Sequence, residues 1–171
     1  AWISLYPLAK RFTLLCHAWL GSSLAMSPLA AAIAIEPAAL EHQVAIWLLA
    51  GMVLAWVTGF DVLYALQDVE VDRVQGLHSM PARLGVQPAV WISRLLHLLA
   101  IGLLAWAWYI DPRFHVLFLV AVIMAAALLA WEHVTIARWG VERITLAFFT
   151  LNGIVSCVVG LAGITDILLA S

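Results

Sequence analysis

Charge is the scarcest commodity in this sequence. Only 11% of its 171 residues are Asp, Glu, Lys or Arg, against 65% hydrophobic residues, and the mean hydropathy is +1.05. Soluble domains carry about 25% charged and about 45–50% apolar residues, so a water-soluble globular domain is excluded. A basic excess is also missing: the net charge is −2, and nucleic acid, which needs a basic stripe or patch, is excluded as a partner. There are only two cysteines, Cys16 and Cys157, and both lie inside long apolar runs. They read as buried thiols packing as small apolar residues, not as the framework of a secreted disulfide scaffold. No basic n-region of a signal peptide precedes the first apolar run. The opening "AWISLYPLAKR" begins at Ala1 and reads as the tail of an apolar segment entering a basic loop. The chain is therefore expected to be the later part of a longer protein.

Long apolar runs are what the sequence has in abundance. About 20 helical residues cross the ~30 Å hydrocarbon layer, and five stretches qualify: Phe12 to Ile35, Gln43 to Leu66, Ala89 to Ile110, Phe114 to Ala137 and Ile144 to Leu169. Helices are the element that satisfies its own backbone in lipid. The expected fold is an all-α polytopic membrane helix bundle with five transmembrane helices, forming one membrane domain over residues 1–171. Pro28 should kink the first span. With alternate loops on opposite sides, Lys10, Arg11, Arg73, Arg83, Arg138 and Arg143 fall on one face, and Arg113 falls on the other beside Glu36, Glu41, His42 and Asp111. That asymmetry places the basic loops in the cytoplasm. Arg94, Glu132 and His133 sit toward the cytoplasmic ends of their spans and read as interface residues that snorkel. Trp2, Trp91, Trp131 and Trp139 lie near span ends and suit an aromatic belt. Trp19, Trp47, Trp56, Trp106 and Trp108 lie deeper and suit packing or a channel lining.

One short string breaks the apolar pattern. "YALQDVEVDR", residues 64–73, holds three acids and one base. On a continuous helix at about 100° per residue, Asp61, Tyr64, Asp68 and Asp72 share one face and Glu70 points away. Carboxylates at i and i+4 repel when both are ionised. A divalent cation between them reverses the sign, and Mg²⁺ is usually held by one or two carboxylates together with substrate phosphates. The plain alternative is a solvated acidic loop. Asp61 favours the cation, because a carboxylate deeper in a span, between Phe60 and Val62, calls for a polar cavity. "YPLAKRFT", residues 6–13, puts Lys10 and Arg11 on the same membrane face. They serve either as a positive-inside anchor or as a clamp for a diphosphate or carboxylate.

"GFDVLYALQDVEVDRVQGLHSMPARLG", residues 59–85, resembles the second aspartate-rich motif of the UbiA superfamily of intramembrane prenyltransferases. "YPLAKRFT" is similar to that family's Tyr-Pro-x-x-Lys-Arg segment, and "AFFTLNGIVS", residues 147–156, resembles its last helix. The resemblance implies a nine-helix fold whose later part is this chain, with a central cavity open to the cytoplasm. It implies transfer of a polyprenyl group from polyprenyl diphosphate to an aromatic acceptor, with Mg²⁺ as cofactor. Asp68 and Asp72 would be metal ligands, and Tyr64 would line the cavity near the reacting carbon, where its ring face could stabilise cationic character. Lys10 and Arg11 would hold the diphosphate or the acceptor's carboxylate, and Asp61 would be a proton acceptor or a structural hydrogen-bond partner. Within the family the wording is nearest to the bacterial quinone branch acting on 4-hydroxybenzoate and to a related menaquinone branch. The location is then the bacterial inner membrane, with the motif on the cytoplasmic side. The family's first motif, Asn-x-x-x-Asp-x-x-x-Asp, has no counterpart here, so the chain alone is expected to be inactive.

A rival from another class is a non-catalytic transporter or assembly subunit that uses the aspartate pair for a cation. The paired repeats and interrupted mid-membrane helices of secondary transporters are not visible. The acidic, glycine-rich pattern of a CDP-alcohol phosphotransferase is not found either. His17, His97 and His115 have no metal-ligand spacing among themselves and read as satisfied or interfacial. Asn152 and Ser156 suit interhelical hydrogen bonds.

Overall fold

The computed structural model describes residues 2–140 and 150–170. They form nine α-helices and one 3₁₀ segment, with no strand among the described residues. The helices are α1 (Trp2–Ala9), α2 (Cys16–Ile35), α3 (Ala39–His42), α4 (Val44–Tyr64), α5 (Val69–Val74), α6 (Met80–Leu84), α7 (Val86–Ile110), α8 (Val116–Trp139) and α9 (Asn152–Ala170); the 3₁₀ turn, Ala65–Asp68, joins α4 to α5. Five helical segments are long and apolar enough to cross a membrane, which makes the chain a multi-pass membrane protein. The first starts four residues later than expected, and the fifth is described from Asn152. Positions 144–149 of the expected fifth span, and Arg143 of the charge count, lie outside the described residues. Pro28 is inside α2, which continues through it to Ile35.

The chain divides into two compact units, Ala1–Ala100 and Ile101–Ser171. In the first, α2 runs along α4 and α1 packs on α2. The α2–α4 approach is close because Gly21 has no side chain: a Cβ there would run into Thr58 Oγ1 and the Leu54 carbonyl. Small residues at such crossings are how membrane helices gain contact when lipid offers no hydrophobic driving force. Trp2 anchors α1 to α2 by stacking on Trp19 at 4.3 Å and donating its indole N–H to Ser22 Oγ at 2.9 Å. Trp19 in turn donates to the Trp2 carbonyl at 3.1 Å. The start of α7 is tied to α4 where Ser93 Oγ donates to the Gly59 carbonyl at 2.8 Å.

In the second unit α8 and α9 pack together, joined by polar contacts near both ends. Asp166, buried in α9, accepts the backbone N–H groups of His115 and Phe118, each at 2.8 Å, and so caps the start of α8 from outside it. Those N–H groups have no partner within their own helix. Toward the other end Asn152 Nδ2 donates to Glu132 Oε1 at 3.5 Å. Glu132 is 2% exposed, which corrects its reading as a snorkelling interface residue: its carboxylate turns into the α8–α9 contact. Arg94 lies over the exposed Trp91 ring at 4.7 Å.

Candidate active site

The polar features of the first unit converge where the ends of α1 and α4 meet the start of α2. A cavity of about 190 Å³ opens there, lined by Tyr6, Lys10, Cys16, His17, Asp61, Tyr64, Ala65 and Asp68. Tyr6 comes from α1, Lys10 from the turn just after it, Cys16 and His17 from the first turn of α2, and the rest from the end of α4 and the 3₁₀ turn.

The expected single helix through residues 61–73 is not what forms. A 3₁₀ turn makes three residues per turn, against 3.6 in an α-helix. Four such residues therefore rotate the downstream face by roughly 80°. Asp61, Tyr64 and Asp68 stay on the cavity wall, while Asp72 swings inward and is 1% exposed. Tertiary bonds to Asp72 hold this turn, overriding the local helical pattern. Lys10 Nζ lies 2.8 Å from Asp72 Oδ1 and 3.7 Å from Asp68 Oδ2, and Ser79 Oγ donates to Asp72 Oδ2 at 2.5 Å. The chain's single lysine thus bridges both carboxylates. Glu70 points to solvent and pairs with Arg73 at 3.2 Å on the helix surface. Arg11 is exposed and is not part of the cavity wall.

Ser79 can reach Asp72 because α5 ends in a glycine reversal. Gly76 takes φ +67, Leu77 N–H returns to the Asp72 carbonyl at 2.8 Å, and Gly76 N–H returns to Arg73 at 3.2 Å. This pairing is the Schellman pattern, which glycine accommodates without a Cβ clash.

Asp61 and His17 close the other end of the cavity. His17 Nδ1 is 2.6 Å from Asp61 Oδ2, and His17 Nε2 accepts the Met80 backbone N–H at 3.2 Å. Because Nε2 accepts, the ring proton sits on Nδ1 and is donated to Asp61. Burial, with the Asp61 charge adding to it, pushes the Tyr6 hydroxyl above its ordinary 10.0. At Lys10 burial favours the neutral amine, but the hydrogen bond to Asp72 and the charges of Asp72 and Asp68 outweigh it and hold the group above its usual 10.5. Lys10 is therefore a cation throughout the physiological range.

The structure thus brings Asp61, Tyr64, Asp68 and Lys10 together around one cavity, sets Asp72 just behind its wall, and leaves Arg11 outside. His17, Ser79, Tyr6 and Cys16 belong to the same neighbourhood without having been singled out as site residues. Two of them carried a signal: Ser79 lies in the quoted 59–85 stretch, and Tyr6 is the tyrosine of "YPLAKRFT". None of the deeper tryptophans lines the cavity. Among the described residues no group of three or more His, Cys, Asp and Glu side chains converges as a complete metal shell. Two carboxylates that share one ammonium do suit a divalent cation that takes its remaining oxygens from phosphate and water.

The pattern of the UbiA prenyltransferase family matches residues 1–154. A protein of Azotobacter vinelandii named 4-hydroxybenzoate octaprenyltransferase is 34% identical over 139 residues, 79% of this chain and 44% of that protein. A protein of the same name from Saccharophagus degradans is 33% identical over 131 residues, 74% of this chain and 41% of that protein. The apo structure of a UbiA homolog from Aeropyrum pernix K1 superposes with a TM-score of 0.80 at 29% identity, covering 95% of this chain and 59% of that one. The chain spans less than half the length of the curated relatives it matches.

Proposed function

This chain belongs to the UbiA prenyltransferase family, and on that premise we propose that it forms part of a site moving a polyprenyl group from polyprenyl diphosphate to an aromatic acceptor, 4-hydroxybenzoate, in quinone biosynthesis. The observation that carries the reading is the Lys10 ammonium set between Asp68 and Asp72 at the mouth of a cavity whose far end holds Tyr64, His17 and Asp61. The names of the curated relatives support 4-hydroxybenzoate over the menaquinone-branch acceptor. The family is generally dependent on a divalent metal. In this reading the metal is Mg²⁺, Asp68 and Asp72 hold it, and the first aspartate-rich motif comes from sequence that the longer relatives have in addition. The protein sits in the bacterial inner membrane with the motif at the cytoplasmic face, as the loop charges favour.

Asp68 and Asp72 would hold Mg²⁺, which would neutralise diphosphate charge and make it a better leaving group. The remaining work falls to this chain's own side chains. Lys10, permanently charged, turns from the carboxylates to the diphosphate oxygens as these arrive. Arg11, exposed beside it, meets anionic groups of either substrate on approach. Tyr64 presents its ring to the carbon that gains cationic character as the diphosphate departs. Asp61, held at Oδ2 by His17, keeps its second oxygen to accept the proton released from the acceptor ring. The apolar membrane helices that carry the site limit the water that would otherwise capture the allylic carbon as the alcohol.

In the full-length protein, Asp68→Ala or Asp72→Ala should abolish Mg²⁺-dependent transfer of a labelled prenyl chain to 4-hydroxybenzoate while membrane insertion persists. Turnover near the wild-type level in either variant overturns the metal-ligand assignment.

A further inference from the structure

Three consecutive residues at the entry to α6, His78, Ser79 and Met80, each grip a different part of the site. His78 N–H donates to the Lys10 carbonyl at 2.7 Å. Ser79 Oγ donates to Asp72 Oδ2 at 2.5 Å, and Met80 N–H donates to His17 Nε2 at 3.2 Å. Through His17 the last of these reaches Asp61. Ser79 is 0% exposed and Met80 8%, so the strap is internal and not a surface loop.

Ser79 stands at the N-cap of α6 with extended backbone angles, φ −65 and ψ 148. A serine there ordinarily turns its hydroxyl onto the N–H groups of the first turn. Here it makes no such bond. The hydroxyl goes instead to Asp72, in a short bond of the kind an ionised acceptor gives. The outcome is directional. Asp72 Oδ2 is fixed inward by Ser79, and Oδ1 is left facing the Lys10 ammonium that Asp68 also approaches.

We propose that Ser79 is a positioning residue for metal binding: it locks the Asp72 carboxylate so that Oδ1 is presented to the cation. Lys10 cannot do this, since it occupies the cation's own place and must leave when a metal arrives. Ser79 is the partner that remains. Residues 78–80 then act as one strap that registers the metal end of the cavity against the His17–Asp61 end. The proposal rests on the reading of Asp68 and Asp72 as metal ligands, and its test separates the two.

The probe is Mn²⁺ alone, titrated into detergent-solubilised full-length protein, with free Mn²⁺ read by electron paramagnetic resonance and folding followed by thermal melting. Partners of metal ligands typically alter affinity by about 10–100-fold when removed. Ser79→Ala should weaken Mn²⁺ binding by that factor, and Ser79→Thr, which keeps the hydroxyl, should restore it. Unchanged affinity in Ser79→Ala, when Asp72→Ala removes binding, overturns the positioning role and leaves the ligand assignment intact. Unchanged affinity in Asp72→Ala overturns the ligand assignment itself. A lowered melting temperature in Ser79→Ala with normal affinity assigns the residue a purely structural role. Equal loss in Ser79→Thr and Ser79→Ala traces the effect to volume and likewise overturns the proposal.

Discussion

In the first unit the carboxylates of Asp61 and Asp72 meet a histidine, a lysine and a serine hydroxyl around a cavity. In the second, Asp166 meets two backbone N–H groups and Glu132 meets the Asn152 amide, inside helix packing. Asp72, Asp166 and Glu132 are buried to nearly the same degree, 1%, 2% and 2% exposed. Burial of an acid therefore does not mark a site by itself. What distinguishes the first unit is that the buried Asp72 pairs with a lysine that lines a cavity, whereas Asp166 and Glu132 are held by amides within helix packing.

That contrast can be broken by experiment. The largest effect in the second unit is expected from Asp166→Ala. It strands two N–H groups at the start of α8, and a buried unsatisfied donor costs about 1–3 kcal/mol. The melting temperature should fall accordingly, while Mn²⁺ affinity of the folded protein stays at the wild-type value. A loss of metal binding comparable to that of Asp72→Ala would erase the distinction between the two kinds of acid.

A smaller effect is expected at the loop between α7 and α8. Hydrogen bonds from Arg113, opposed by burial, hold the Asp111 carboxyl below its ordinary 3.8. Asp111 accepts from the Arg113 guanidinium at 2.9 and 2.7 Å. A depressed carboxyl pKa contributes stability above the unfolded value, and that stability is lost as pH falls through the folded one. Because Arg113 is 42% exposed, Asp111→Asn should cost under about 1 kcal/mol at neutral pH. The gap between wild type and variant, read from melting curves, should close below pH 3.8; a gap that persists there would show that the pair acts through shape and not charge. Smallest of all is Glu70→Gln, which removes an exposed i,i+3 pair with Arg73. Such pairs often contribute nothing measurable, so neither melting nor Mn²⁺ titration should move. A drop in Mn²⁺ affinity matching that of Asp72→Ala would place Glu70 in the site.

How much of this could be read in advance follows from the range of each interaction. The apolar spans depend on composition over some 20 residues: α2, α4, α7 and α8 lie within four residues of where hydropathy puts their ends, and the fifth is described from Asn152. The gathering of Asp61, Tyr64 and Asp68 on one wall follows from local periodicity. The inward turn of Asp72 does not, because the 3₁₀ break is held by Lys10, 62 positions earlier in the chain. His17 carried no visible signal for the same reason: its partners, Asp61 and Met80, lie 44 and 63 positions away. Glu132 was misplaced at the interface because distance along a span says nothing about which side of the helix meets a neighbour.

Gly21 has a bearing on chemistry that it never touches. It sits one turn beyond His17 on α2 and faces Thr58, one turn before Asp61 on α4. The 2.6 Å separation of His17 and Asp61 is thus gauged by a missing side chain one turn away. A single methyl there would act as a shim, prising the two helices apart just where imidazole and carboxylate must touch. The tolerance of the cavity is set, in effect, by the thinnest residue at the helix crossing beside it.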